Sequence, residues 1–269
     1  MMCIFWCRAF RYASRRPMMN EILLMLQFFT VAPIHKELPY DQVRFTKTAV
    51  LLPILGGVIG LLEGGAALLL QMLFGPISSV LFILMMDAFL TKGIHLDGLA
   101  DTCDGLFSRS DRKTMLEIMK DSRLGTFGAL SLLFYLLLKA ALLLEFDRVM
   151  ILKLVLLLAV IGRSMMVFGA FRSVYARPHG FGGIYIGKIS MLSLVISSGA
   201  ALLYSQALLG SSAGISWFAV CFLIFLMKRF VEKRLGGITG DVLGAFMEVS
   251  QVLFLLVYML IEKFGEYVL

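Results

Sequence analysis

Apolar residues fall in long stretches along the chain, separated alternately by short turns and by long, basic connections. A helix needs ~20 mostly apolar residues to cross a bilayer, within a range of ~17–25. Seven stretches approach or reach that length: 49–74, 77–92, 126–145, 149–170, 191–210, 214–230 and 246–262. The second is the weakest, being short and holding Asp87. In the first, Gly56, Gly60 and Gly64 recur every four residues. That spacing lets two helix backbones approach closely. An earlier run, Glu21–Pro33, has only 13 residues. It is too short to cross and suits an interfacial or re-entrant segment. The pattern predicts an all-α fold, a polytopic transmembrane helical bundle of about seven spans.

Composition agrees. Of 269 residues, 59% are hydrophobic and only 16% charged, with a mean hydropathy of +0.89. A soluble domain carries ~25% charged residues. A soluble enzyme, a disordered chain and a disulfide scaffold are thereby excluded. Cys3, Cys7, Cys103 and Cys221 are scattered and form neither a zinc spacing nor a disulfide framework. Residues 21–269 read as one integral-membrane domain. Residues 1–20 read as a basic extension carrying Arg8, Arg11, Arg15 and Arg16 and no acid. They lack a clear apolar core or cleavage site of a signal peptide. Alternatively, translation starts at Met18 or Met19 and the first residues are not native.

Charge placement adds orientation. Twenty of the 25 Lys and Arg residues lie in segments 1–48, 91–125, 171–190 and 228–245. The excess of basic residues in cytoplasmic loops puts the N-terminus and all three long polar loops inside, and seven spans then leave the C-terminus outside. The net charge of +7 reflects those loops, and no nucleic-acid partner is expected.

Candidate chemistry concentrates in Lys92–Gly128. Asp97, Asp101 and Asp104 stand at i, i+4 and i+7, on one face if helical. Like charges at that spacing destabilise a helix unless a cation neutralises them. Oxygen ligands without thiolates favour Mg²⁺ or Mn²⁺, and such an ion could bridge a diphosphate. Gly98 and Gly105 leave the backbone bare for a bulky anionic ligand. His95 is either a hydrogen-bonding structural histidine or a substrate contact. Asp121, Lys120 and Arg123 form a second polar group, with the basic pair suited to phosphate oxygens. Two further stretches stand out. Phe181–Lys188 combines three glycines with Lys188 but lacks the P-loop spacing. Leu235–Glu248 places Asp241 and Glu248 seven residues apart at the head of an apolar span, where charge is costly.

These residues resemble the cobalamin synthase family, the adenosylcobinamide-GDP ribazoletransferases. His95–Gly105 (HLDGLADTCDG) matches that family's signature, Met115–Gly128 (MLEIMKDSRLGTFG) continues it, and Ile186–Lys188 and Leu235–Glu248 match later motifs. The similarity runs from about Leu26 to Val257. It departs at Val31, where many relatives carry arginine, so no phosphate contact is implied there. The resemblance implies the last step of cobalamin assembly in the plasma membrane of a prokaryote. A ribose hydroxyl of α-ribazole, or of its 5′-phosphate, attacks the cobinamide-bound phosphate of adenosylcobinamide-GDP, and GMP leaves. Mg²⁺ is the implied cofactor.

The expected roles follow. Asp97, Asp101 and Asp104 bind Mg²⁺, and Asp121 completes the metal site or orients the nucleophile. Arg123 and Lys188 hold the leaving GMP. Asp241 or Glu248 binds metal or takes the ribazole proton. His95, Gly98 and Gly105 line the substrate. The lipid bilayer is a partner, and self-association is left open. Two rival readings are weighed. A CDP-alcohol phosphotransferase expects arginine where Asp101 stands. A transporter of cobamide precursors would use Glu63, Asp87, Lys139 and Arg163 as relays, unless those charges pair within the bundle or snorkel from span ends.

Overall fold

The computed structural model of the chain describes residues 17–268; the expectations for residues 1–16 fall outside it. The elements are α1 (Pro17–Phe29), α2 (Gln42–Lys47) running through a 3₁₀ turn (Thr48–Leu51) into α3 (Leu52–Leu73), α4 (Pro76–Leu90), α5 (Ile94–Phe107), α6 (Arg112–Ile118), α7 (Thr126–Leu144), α8 (Arg148–Ala170), α9 (Met191–Leu209), α10 (Ser211–Leu235) and α11 (Gly240–Val268). Among the described residues there is no strand, only an isolated bridge between Tyr175 and Ile238.

Six helices are long and apolar enough to cross a membrane: the Gln42–Leu73 run, α7, α8, α9, α10 and α11 over Gly240–Lys263. The chain is therefore a multi-pass membrane protein. The predicted span 77–92 takes a different form. It is a 15-residue helix, α4, followed by α5 at 89°. The cause of the corner is local. Lys92 and Gly93 have φ of 57° and 64°, a left-handed pair that no right-handed helix can continue through. Two contacts brace it: the Lys92 ammonium donates to the Gln27 carbonyl at 2.7 Å, and the Val31 amide donates to the Leu90 carbonyl at 2.9 Å. The count is thus six spans, or seven with the bent pair. The polar helix α5 lies outside the six.

Side-chain caps start the helices after the loops. Asp147 accepts from the Met150 amide at 2.8 Å to begin α8, and Ser190 accepts from the Ser193 amide at 3.0 Å to begin α9. The connections after α3, α7 and α9 are short turns. The long ones meet at one end, where Thr46 bonds the Ile184 carbonyl and Arg177 bonds the Met119 carbonyl.

At the centre runs α8, with sixteen of its 23 residues buried; α9, on the periphery, buries only Ser197, Ala201 and Ser205. Two glycines of the four-residue series set α3 against α8. A Cβ on Gly60 would lie 2.7 Å from the Leu156 carbonyl oxygen, and one on Gly56 would run into the Ala159 carbonyl. Gly64 meets only the Leu156 side chain, at 3.4 Å.

Charges inside the bundle find one another. The Lys139 ammonium donates to Gln251 Oε1 at 2.9 Å, the Tyr135 hydroxyl at 3.0 Å and Asp87 Oδ2 at 3.3 Å. The Tyr135 hydroxyl donates to Glu248. Glu63, 4% exposed, lies beside Asp87, and Arg163, 1% exposed, donates to the Ala159 carbonyl at 3.0 Å. Lys139 and Asp87 thus pair within the bundle, and Glu63 and Arg163 are buried there rather than snorkelling.

Gly60→Ala should lower the thermal unfolding temperature in detergent, with a loss of about 1–3 kcal/mol from overpacking. Gly65→Ala, where an added Cβ meets nothing within 4 Å, should be neutral or stabilising. Equal unfolding temperatures for the two variants would refute the close contact.

Candidate active site at the acidic end of the bundle

The long connections and α5 together build a polar face. Asp97, in the first turn of α5, lies where the helix dipole favours a negative charge. Asp101 follows one turn later, half-buried. Across from them, Asp241 sits in the first turn of α11. Thr239 Oγ1 donates to Asp241 Oδ2 at 3.2 Å and accepts from the Val242 amide at 3.3 Å, capping the helix. Between the acids lies Arg177, ion-paired with Asp241 at 2.7 Å. Its Nε is buried with no hydrogen-bond partner among the described residues. The electrostatics are those of a crowded anionic pocket. Burial, then the charges of Asp97 and Asp241, push the Asp101 carboxyl up to about 7, against the opposing pull of Arg177.

The expected trio divides. Asp97 and Asp101 face Asp241, but both oxygens of Asp104 are engaged elsewhere. They accept from the amides of Gly125 and Gly128, each at 2.8 Å, at the start of α7. A Cβ at either glycine would collide with that carboxylate. Asp104 therefore ties α5 to α7 and is not grouped with the other two as an ion ligand. The signal was present in GTFG (Gly125–Gly128), two glycines one helix turn apart.

The glycines of α5 are filled rather than open. A Cβ on Gly98 would lie 2.7 Å from the Asp241 carbonyl oxygen, and one on Gly105 would strike Met119. They serve helix contact, so the expectation of a bare backbone facing ligand is corrected. His95 is 3% exposed and stacks on Phe29, with ring centroids 5.8 Å apart. It lies in the packing between α1 and α5, away from any open surface.

Four further expected residues lie elsewhere. Asp121 and Arg123 pair with each other at 2.6 Å on the exposed turn before α7. Lys188 donates to the Gly183 carbonyl at 2.6 Å and lines a separate groove with Lys47. Glu248 shares a helix face with Asp241 but lies about 10 Å further along the axis, at ~1.5 Å per residue. Only 2% exposed, it belongs to the buried network with Tyr135 and Gln251. In place of Lys188, the cation at the acidic face is Arg177. The sequence marks Arg177 only as one more loop arginine, four residues before Phe181.

Beside Asp97 opens a groove of about 580 Å³ lined by Lys92, Gly93, Ile94, Ala100, Leu124 and Leu132. One wall is polar and the other aliphatic, so it suits an amphiphilic ligand. Among the described residues, no three His, Cys, Asp or Glu side chains gather closely enough to hold an ion unaided. Mg²⁺ does not require that, since it takes one or two carboxylates and completes its shell with water and phosphate oxygens. Asp97 and Asp101, one turn apart, fit as that pair.

Asp101 yields a pH prediction for metal-free protein. Its folded carboxyl holds a proton more tightly than an ordinary aspartate. Its stabilising contribution is therefore full below about 4 and is lost as pH rises through about 7. Asp101→Asn should flatten the decline of unfolding temperature across that window in chelator-containing buffer. An unchanged slope would contradict the crowding of acids at this position.

The family model described as Cobalamin-5-phosphate synthase matches residues 21–259. The chain is 39% identical to a protein named adenosylcobinamide-GDP ribazoletransferase from Alkaliphilus metalliredigens, over 92% of this chain and 98% of that one. A protein of the same name from Alkaliphilus oremlandii is 38% identical over 88% and 96% of the two chains, and one from Clostridium botulinum 36% identical over 91% and 99%. No solved structure matches the chain.

Proposed function

Because this chain belongs to the cobalamin-5-phosphate synthase family, we propose that its acidic end carries out the final transfer of cobalamin synthesis, from adenosylcobinamide-GDP to α-ribazole or its 5′-phosphate. A ribose hydroxyl oxygen of the acceptor, one that is free in both α-ribazole and its 5′-phosphate, forms a bond to the phosphorus attached to cobinamide. The bond from that phosphorus to the bridging oxygen breaks, and GMP departs. The hydroxyl proton goes to a carboxylate. The observation that carries this reading is the facing of Asp97 and Asp101 by Asp241 across Arg177.

Asp97 and Asp101 are the residues that would hold Mg²⁺. Bound there, the ion would supply charge neutralisation for the diphosphate and for the departing GMP. The chain's own groups do the rest. Arg177 presents a planar fork of donors to phosphate oxygens, and its engagement there loosens its hold on Asp241. Asp241, so released, orients the α-ribazole hydroxyl and accepts its proton. A carboxylate suited to that task must reach within hydrogen-bond distance of the hydroxyl, and the first turn of α11 supplies such a position. Below it, the N-terminal amides of α11 favour the negative charge that develops. The aliphatic wall at Leu124 and Leu132 takes the apolar flank of the cobinamide.

The acidic end faces the cytoplasm of a prokaryotic cell in this reading. Support comes from the basic residues gathered in the same loops and from the nucleotide donor.

Asp97→Asn, Asp101→Asn and Arg177→Gln should each lower the rate of GMP release from adenosylcobinamide-GDP by about 10²–10³-fold. The assay uses protein in detergent with Mg²⁺ present, and chelation of Mg²⁺ should abolish release in the parent. Near-parental release by Asp101→Asn would overturn the metal role. Asp121→Asn, on the exposed turn, should retain activity.

A further inference from the structure

Away from the acidic face, a second groove of about 550 Å³ opens between the start of the first span and the start of α9. Its lining joins Lys47, Lys188 and the hydroxyls of Ser190 and Ser193 to the aliphatic side chains of Val50, Leu192 and Ile196. Along the chain Lys47 precedes Val50, and Lys188 and Ser190 precede Leu192 and Ile196, toward the spans. Neither lysine has a carboxylate within ion-pairing distance among the described residues, and no acid lines the groove. Ser190 caps α9, so the positive end of a 19-residue helix dipole adds to the field of the lysines.

We propose that this groove is a binding site for one anionic phospholipid, with its phosphate between Lys47 and Lys188 and an acyl chain along Val50, Leu192 and Ile196. Three observations select a lipid over a soluble anion. The aliphatic lining is itself exposed, Leu192 by 69% and Ile196 by 46%. These two belong to α9, a peripheral helix that buries only three small residues. And the change from cationic to aliphatic lining follows the start of a spanning helix, the depth at which a bilayer changes from headgroup to acyl chain. This groove shares no lining residue with the groove beside Asp97.

The test uses the full chain purified in detergent and stripped of lipid. Dioctanoyl phosphatidylglycerol, the matching phosphatidylcholine and inorganic phosphate are added separately. Retained lipid is counted by native mass spectrometry, and Tm is followed by tryptophan fluorescence. Phosphatidylglycerol is expected to be retained and to raise Tm, while the other two do neither. The double variant Lys47→Gln/Lys188→Gln should bind phosphatidylglycerol on the order of tenfold more weakly, and Lys47→Arg/Lys188→Arg should keep it. Ile196→Trp, on the exposed face, leaves both charges and fills the aliphatic part; it should also lose retention, so the proposal stays testable if the glutamine variant fails to fold. Equal retention of phosphatidylcholine, full binding by the glutamine and tryptophan variants, or a Tm rise with phosphate alone would overturn the proposal.

Discussion

The acidic face exists because α5 can lie directly on α11, and it can do so only because position 98 has no side chain. An added Cβ there would sit 2.7 Å from the Asp241 carbonyl oxygen. The contact is reciprocal. Gly244 meets the backbone of His95, with an added Cβ 3.1 Å from its Cα. Small residues on both partners bring two backbones together, as helices do where no hydrophobic effect drives them. That approach carries Asp97 and Asp101 up to Asp241, and with it their mutual repulsion. Glycine is thus a requirement of the site's geometry without touching its chemistry.

The same repulsion poises the site. Asp101 is half-buried and feels three further acids, Asp97, Asp241 and, least, Asp104, with only Arg177 to offset them. An arrangement that stores unfavourable charge is released by a divalent cation, and the affinity for such a cation is raised by the amount released. Asp104 escapes the crowding by accepting two backbone amides. It also fixes where α7 begins, and so holds Leu132 on the wall of the groove beside Asp97.

Much of this was legible beforehand. Hydropathy marks the spans because a bilayer demands long apolar helices, and six of the seven stretches recur as full-length helices. The corner at Lys92–Gly93 was less visible, since left-handed backbone at a lysine leaves no pattern in hydropathy. Within the site, periodicity put Asp97, Asp101 and Asp104 on one face, but a face on a helix 14 residues long looks toward more than one neighbour. Asp104 therefore turned to α7 and the others to α11. Asp241 and Glu248 shared a face for the same reason and parted by depth. Arg177 was hidden because its role comes from a contact 64 residues away in sequence, which no local pattern reports.

The polar network in the bundle bears on how the protein is made. Glu63 and Asp87 lie on the hairpin α3–α4, and the cations whose fields reach them, Lys139 and Arg163, on α7 and α8. An isolated charge at mid-membrane costs ~2.5–3.5 kcal/mol during insertion. Lys139 follows Asp87 by 52 residues, so the first hairpin leaves the ribosome with two acids and no counterion. The second hairpin brings the ammonium that offsets this cost, so the two halves of the bundle favour each other's place in the bilayer.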